Sequence, residues 1–289
     1  MKKWIEIAGT CSRKRYEYLS DFLNKSGVEN SVDFVECGMD EFPLLLKHAM
    51  DQYDFIRVGS PFGERVPHLI DQLPVTTYFQ KSADSLFNEG GRWWARSMLT
   101  EGLIREVALV EKLDISESAF IIGAGASCRG VIAALMKIGF HKFNFTEKFE
   151  ERGRLLLKEL KETYFGVDFR FTPQSAITLL PGIHSIVVNT TPLVPSNDLL
   201  DELYYCNFLR PNGVVIDLTL VPPETPLLKA VKQVEGRIVF GFEVAALIDM
   251  YWSVQAFRQT FDQLAYSKGL FQICQSTTFD FSEFDIPDF

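Results

Sequence analysis

Residues 118–146, SAFIIGAGASCRGVIAALMKIGFHKFNFT, decide how the chain folds. Ala119, Phe120, Ile121 and Ile122 form an apolar run without helical period, the pattern of a strand buried on both faces. Gly123-Ala124-Gly125-Ala126-Ser127-Cys128 follows, then a helical pattern over 131–138, Gly139 as its stop, and a second strand-like run over 142–145. In such a strand-turn-helix-strand unit Gly123 suits the tight turn. Gly125 lets the backbone N–H groups through Ala126 and Ser127 approach a pyrophosphate, and the helix start adds partial positive charge. Cys128 replaces the third glycine of G-x-G-x-x-G and is small enough for close helix-to-strand packing. About 20 residues past the glycines, where this motif expects an acid at a ribose hydroxyl, stands Glu147. The competing reading is a structural turn in another α/β protein; the complete order of elements, with the acid in place, favours a nucleotide site.

Outward from this unit the alternation continues. Downstream come a helix over 148–163 and strands over 167–171, 185–188, 214–218 and Arg237–Phe240, after which Gly241 opens a long helical pattern to 261. The strand over 185–188 ends in Asn189-Thr190-Thr191-Pro192-Leu193, and the carboxyl ends of parallel strands are where ligands lie. Upstream, strands over 4–8, 32–35 and Phe55–Val58 alternate with helices, the first carrying Tyr18, Leu19, Phe22 and Leu23 at helical spacing. Asn88-Glu89-Gly90-Gly91 then turns a hairpin between 85–87 and 93–95, and a helix over 101–111 leads into the opening stretch. The expected fold is α/β, a Rossmann nucleotide-binding domain plus an N-terminal α/β substrate domain completed by a C-terminal returning helix. The expected domains are 1–105 with 241–289, and 106–240.

Composition narrows the partners. A chain of 289 residues with 47% hydrophobic content is long enough for two cored domains. The net charge of −9, with no basic stripe, argues against nucleic acid. No apolar run approaches the ~20 residues of a membrane span, and the start MKKWIEIAGT lacks the apolar core of a secretion signal, so a cytoplasmic protein is expected. Five cysteines in no C-x-x-C spacing fit reduced thiols, and four histidines show no metal-binding spacing. No metal is expected.

Three segments resemble the shikimate/quinate dehydrogenase family. Residues 217–228, DLTLVPPETPLL, are similar to its D-L-V-Y-N-P-x-E-T-P-L-L; residues 188–193, VNTTPL, to V-N-A-T-P-L; and residues 123–131 to G-A-G-G-A-S-R-A-V. Residues 57–66, RVGSPFGERV, more weakly resemble N-V-T-x-P-x-K, and Gly241 matches the glycine before the family's returning helix. The likeness implies hydride transfer between a nicotinamide ring and a ring hydroxyl, with a lysine and an aspartate handling the proton. Neither is recovered: in register they fall on Gly63 and Leu99. The asparagine and threonine before the proline become Arg57 and Gly59, the substrate-binding asparagine becomes Asp84, and a glutamine of the returning helix becomes Met250. Members that use NADP carry N-R-T-x-x-R after the second Rossmann strand. Here Asn144-Phe145-Thr146-Glu147-Lys148-Phe149 has lost both arginines, and Glu147 suits a free ribose hydroxyl, so NAD is expected over NADP.

The cofactor is thus expected at Gly123, Gly125, Ala126, Ser127, Asn144, Glu147, Asn189, Thr190, Thr191 and Gly241. For a small-molecule, anionic substrate the candidates are Arg57, Arg65, Asp84 and Arg96, whose guanidinium groups hold carboxylate or phosphate by paired hydrogen bonds. Solvated surface arginines are the plainer reading. His68 is a neutral-range titrating group or a packing residue, Glu101 a replacement acid or a helix-start acid, Cys128 an activated thiol or small packing. Glu243 and Asp249 face either the cleft or water. The catalytic residue stays unassigned, as do the oligomeric state and the role of the tail TFDFSEFDIPDF over 278–289. The expected function is a shikimate-dehydrogenase-like oxidoreductase; the alternative is a non-catalytic dinucleotide or metabolite sensor.

Overall fold

A computed structural model describes residues 1–194, 197–203 and 206–277; the tail read above lies outside them. The chain divides into two compact units, one of Met1–Leu103 with Ala246–Ile273, the other of Ile104–Ala245 with the described residues from Cys274.

The first unit runs β1 (Lys2–Ala8), α1 (Arg13–Lys25), β2 (Asn30–Glu36), α2 (Phe42–Gln52), β3 (Phe55–Val58), α3 (Val75–Gln80), β4 (Ser85–Glu89), β5 (Arg92–Arg96) and the start of α4 (Met98–Ala108). Its sheet has the order β2-β1-β3-β4-β5, parallel through the first three strands and antiparallel at β4 and β5. Side chains alternate across it. Ile5, Ile7, Ile56, Val58, Leu86 and Ala95 pack on one face against Phe42 and Leu46 of α2. The opposite face carries Trp4, Phe55 and Phe87, which meet Trp252 and Phe257; the Trp4 and Trp252 ring centres are 4.8 Å apart.

The second unit continues with β6 (Ser118–Ile122), α5 (Ala126–Ile138), β7 (Lys142–Thr146), α6 (Glu150–Thr163), β8 (Asp168–Phe171), β9 (His184–Asn189), β10 (Leu209–Asp217), α7 (Pro226–Gln233) and β11 (Arg237–Phe240). Its sheet is wholly parallel, in the order β11-β10-β9-β6-β7-β8. This is the doubly wound Rossmann arrangement, whose strand order reverses between β6 and β9. Every residue of β6 is buried, and α5 lays Cys128, Val131, Ile132 and Leu135 inward at helical spacing. Gly139 closes α5 with φ +117°, a conformation strained for any side chain.

The long helix α8 (Gly241–Phe257) begins in the second unit and returns the chain to the first, where α9 (Gln263–Ser276) follows. The helix read through 261 ends at Phe257, where Arg258 follows with φ +57°; α9, which the sequence reading did not give, starts beyond it with the Asp262 carboxylate accepting the Ala265 N–H at 3.0 Å. The helix α4 begins at Met98 rather than 101, because Asp84 accepts the Met98 and Leu99 N–H groups, each at 2.8 Å. No helix among the described residues is long and apolar enough to cross a membrane.

Candidate functional site

The carboxyl ends of β6, β9 and β10 form one backbone-built site in the second unit. Gly123 has φ +108° and donates its N–H to Thr146 O at 2.8 Å; a Cβ there would lie 2.5 Å from Thr190 Oγ1 and 2.8 Å from Thr191 Cγ2. Only glycine satisfies both demands. Gly125 caps α5, and Gly125, Ala126 and Ser127 are partly exposed at that helix start, where N–H groups and the helix dipole favour an anion. Facing the turn, Thr190 is fixed by two bonds to Ile122 O, from its N at 2.9 Å and its Oγ1 at 2.7 Å. Asn189 Oδ1 accepts from Thr191 N and Oγ1, while its Nδ2 donates to Asp217 Oδ1 at 2.9 Å. Asp217 in turn accepts the Thr225 hydroxyl at 2.7 Å, and Thr225 caps α7. Gly241 lies against backbone: a Cβ would be 2.3 Å from Thr219 O. This lattice holds three strand ends in place.

Two expected cofactor residues have other work. Asn144 is buried and accepts the Thr172 hydroxyl at 3.0 Å, tying β7 to the segment after β8. Glu147 is buried, its Oε2 accepting the Ala124 N–H at 2.7 Å and its Oε1 the Phe149 N–H at 3.4 Å. The carboxylate expected at a ribose hydroxyl is turned into the glycine turn and braces it. The groups displayed past β7 are basic. Lys148 pairs with Asp198 at 3.5 Å, and Arg152 brings Nη2 to 3.2 Å from where a Gly125 Cβ would stand.

The first unit carries a different arrangement, a polar row across a sheet face that is otherwise aromatic. Glu6 of β1 is in register with Arg57 of β3, Arg57 with Ser85 of β4, and Ser85 with Arg96 of β5. Glu6, Arg57 and Ser85 are buried. Helices cover the row with more charge. Arg15 of α1 forms a paired hydrogen bond with Asp249 of α8, both contacts 2.8 Å, and the Tyr266 hydroxyl of α9 donates to Asp249 at 2.8 Å. Arg57 Nη2 donates to the Tyr16 hydroxyl at 2.9 Å and lies 3.9 Å from Asp249 Oδ1. Its guanidinium sits over the Tyr16 and Trp252 rings, while its Nε and Nη1 are buried without a hydrogen-bond partner. Glu6 Oε2 accepts the Ser12 N–H at 2.7 Å at the start of α1. Burial pushes the Glu6 carboxyl up to about 7, against the opposing pull of the Ser12 N–H, Arg15 and Arg57. The neighbouring Cys11 thiol is pushed up to about 12 by burial and by Glu6 and Glu36, so it stays protonated.

The expected substrate residues divide around this row. Arg57, read most plainly as a surface arginine, is buried in it, and Arg96 stands at its far end, 3.4 Å from Glu89. Arg65 is exposed on the turn before His68, itself exposed, and joins neither. Asp84 uses both carboxylate oxygens as the cap of α4, so its job is to start a helix. Arg96 and Glu101 line a polar cavity of about 60 Å³ with Gln80, Ser97, Thr100 and Tyr251. Asp249 faces Arg15 rather than cleft or water, Glu243 accepts the Phe240 N–H at 2.9 Å, and Cys128 is packing. Glu6, Arg15, Tyr16 and Tyr266 were missed by the sequence reading. The signal was a charge inside each of two apolar strands, W-I-E-I-A and F-I-R-V.

No family model matches the chain. It is 31% identical over 179 residues to the shikimate dehydrogenase (NADP(+)) of Citrifermentans bemidjiense, a match covering 58% of this chain and 60% of that relative's length. It is 26% identical over 224 residues to the enzyme of that name from Rhizobium meliloti, covering 76% of each chain. The crystal structure of shikimate 5-dehydrogenase from Thermus thermophilus, in complex with NADP(H) and shikimate, superposes with a TM-score of 0.76 at 15% identity, over 94% of this chain and all of that one. The expectation of NAD over NADP is corrected by these relatives, which are named for NADP(+). The physical reason is the inward turn of Glu147: the carboxylate that was read as facing a 2′-phosphate is spent on the Ala124 N–H.

Proposed function

We propose that this chain, a divergent member of the shikimate/quinate dehydrogenase family, is an oxidoreductase acting on a small, polar, anionic hydroxy compound with NADP as cofactor. The observation that carries the reading is the turn at 123–127, a glycine with φ +108° in van der Waals reach of Thr190 and Thr191 at the point where the strand order reverses. When bound, the dinucleotide supplies a nicotinamide ring that exchanges hydride. Gly125, Ala126 and Ser127 would hold the pyrophosphate by their N–H groups, with Thr190 and Thr191 along the neighbouring strand end. Lys148 and Arg152 are the cations for the 2′-phosphate, an arginine fork being well matched to phosphate. The unit of Met1–Leu103 and Ala246–Ile273 would carry the substrate, and free cysteines fit a reducing, cytoplasmic setting.

The family's lysine and aspartate are absent from their positions, Gly63 and Leu99, so the hydroxyl proton needs another acceptor. The test is a panel of hydroxy acids, including shikimate and quinate, assayed with NADP and NAD. Turnover with tighter binding of NADP supports the reading. Saturable NADP binding with no turnover across the panel would favour a sensor.

A further inference from the structure

A polar cavity lies wholly within the first unit, between α3, the end of β5, the start of α4 and Tyr251 of α8. Its lining runs from exposed Thr76, through half-buried Arg96, Glu101 and Tyr251, down to buried Gln80 and Thr100, so it is reached from the surface. At about 60 Å³ it has room for a few waters, or for a carboxylate with the carbon that bears it.

Two donors in the lining are unspent. Arg96 Nε is buried and meets no hydrogen-bond acceptor among the described residues. Its Nη2 reaches Glu89 Oε1 only at 3.4 Å, past the range of a strong hydrogen bond, and Arg258 Nη2 draws on the same oxygen at the same distance. One carboxylate thus serves two guanidinium groups. The second donor is an amide. Thr100 Oγ1 donates to Gln80 Oε1 at 3.0 Å and Gln80 Nε2 donates to Ser82 Oγ at 2.9 Å, which fixes the way the amide points and leaves Nε2 one further hydrogen. Buried donors left unpaired are uncommon in folded chains and call for an acceptor.

The start of α4 does not supply the attraction. Asp84 takes the Met98 and Leu99 N–H groups, and Ser97 takes those of Thr100 and Glu101, so the helix end is already satisfied. Glu101, the acid of the lining, is itself partnered. What the cavity offers a guest is therefore a guanidinium edge with a loosely held counter-charge, and beside it an amide hydrogen. A planar anion with two oxygens suits such donors, since charge-assisted bonds from arginine to carboxylate are short and directional.

We propose that this cavity is a binding site for small carboxylic acids of the size of glycolate or lactate, whose carboxylate is held by Arg96 Nε–H with the Gln80 amide as second donor. The claim concerns binding within the first unit and needs no dinucleotide, so it stands or falls apart from turnover.

The experiment uses the full chain, isotope-labelled at arginine, and titrates glycolate, lactate and the neutral glycolamide while nuclear magnetic resonance follows the Arg96 Nε–H signal, assigned by its absence from R96K. The expected result is a saturable shift with glycolate or lactate in the millimolar range and none with glycolamide. In calorimetry R96K, which keeps the charge and loses the planar fork, binds the same acid about tenfold more weakly, and Q80L loses part of the affinity. A wild-type Nε–H signal that ignores both acids up to ~100 mM, as a cavity filled by water alone would give, overturns the proposal. An equal response to glycolamide or to chloride overturns it as well, and R96K binding as tightly as wild type would put the acid elsewhere. Binding without turnover would sustain this site and fail the oxidoreductase, whereas turnover with a silent Arg96 would do the reverse.

Discussion

The glycine turn of the second unit and the charged row of the first are built in opposite ways. The turn is made of backbone from a contiguous stretch, braced by Thr190, Thr191 and Glu147, and each residue type in it answers a local steric demand. The row is made of side chains from β1, α1, β3, α8 and α9, and its closest ion pair joins Arg15 to Asp249, 234 residues apart. A site of the first kind tolerates change around it as long as the chain path is kept. A site of the second kind fails when any one charge loses its counterpart, because a buried charge without a partner is far costlier than a buried pair is stabilising.

That contrast can be broken first at Asp249. It is fully buried and holds Arg15, with Arg57 close by, so D249N should destabilise the protein by about 3–5 kcal/mol in denaturant unfolding. A loss under about 1 kcal/mol would mean that the row is solvated and not a buried network. At the turn, G123A forces a side chain into φ +108° and onto Thr190, which should cost about 3 kcal/mol and abolish NADP binding measured by calorimetry. Retained affinity would place the dinucleotide elsewhere.

A pH series sharpens the comparison. The Glu6 carboxyl is raised in the folded protein from its ordinary 4.5 to about 7, so folding favours its protonated form. Its contribution to stability is complete below pH 4.5 and disappears as pH climbs through 7. E6Q, which cannot ionise, should therefore match wild type at pH ~4 and exceed it by up to about 3 kcal/mol above pH ~8. Glu106 in the second unit is also raised to about 7, by burial and by Glu243, but it is present in both proteins and cancels from the difference. A difference independent of pH would show that Glu6 does not titrate in this range. The smallest effect is expected at Arg152. R152A should weaken NADP about tenfold while leaving NAD nearly unchanged, and equal losses for both would remove the arginine from the 2′-phosphate.

How far the sequence could be read follows from the same contrast. The Rossmann order was legible because β6 is a continuous apolar run, α5 has a clean helical period and Gly139 marks its end. Boundaries slipped where a distant side chain sets them: α4 starts three residues early because Asp84, on the loop before β4, supplies its cap. The end of α8 was read four residues too late because its stop at Arg258 is a left-handed backbone turn on a residue that rarely adopts one. Glu147 illustrates the deeper limit. Its spacing was right for a ribose contact, yet spacing carries no information about which way a carboxylate turns, and here the Ala124 N–H captures it. The row in the first unit was illegible for the reason that makes it interesting. A glutamate in W-I-E-I-A and an arginine in F-I-R-V become neighbours only once β1 and β3 pair, and an aspartate on α8 completes the charge balance.

The central claim, hydride exchange with a hydroxy acid at the expense of NADP, is tested most directly by mixing the purified chain with NADP and each member of a hydroxy-acid panel while following the absorbance of the reduced nicotinamide. Steady formation of reduced NADP with at least one small anionic hydroxy acid, and slower or weaker use of NAD, is the expected result. Tight NADP binding by calorimetry with no reduced product from any member of the panel would contradict it.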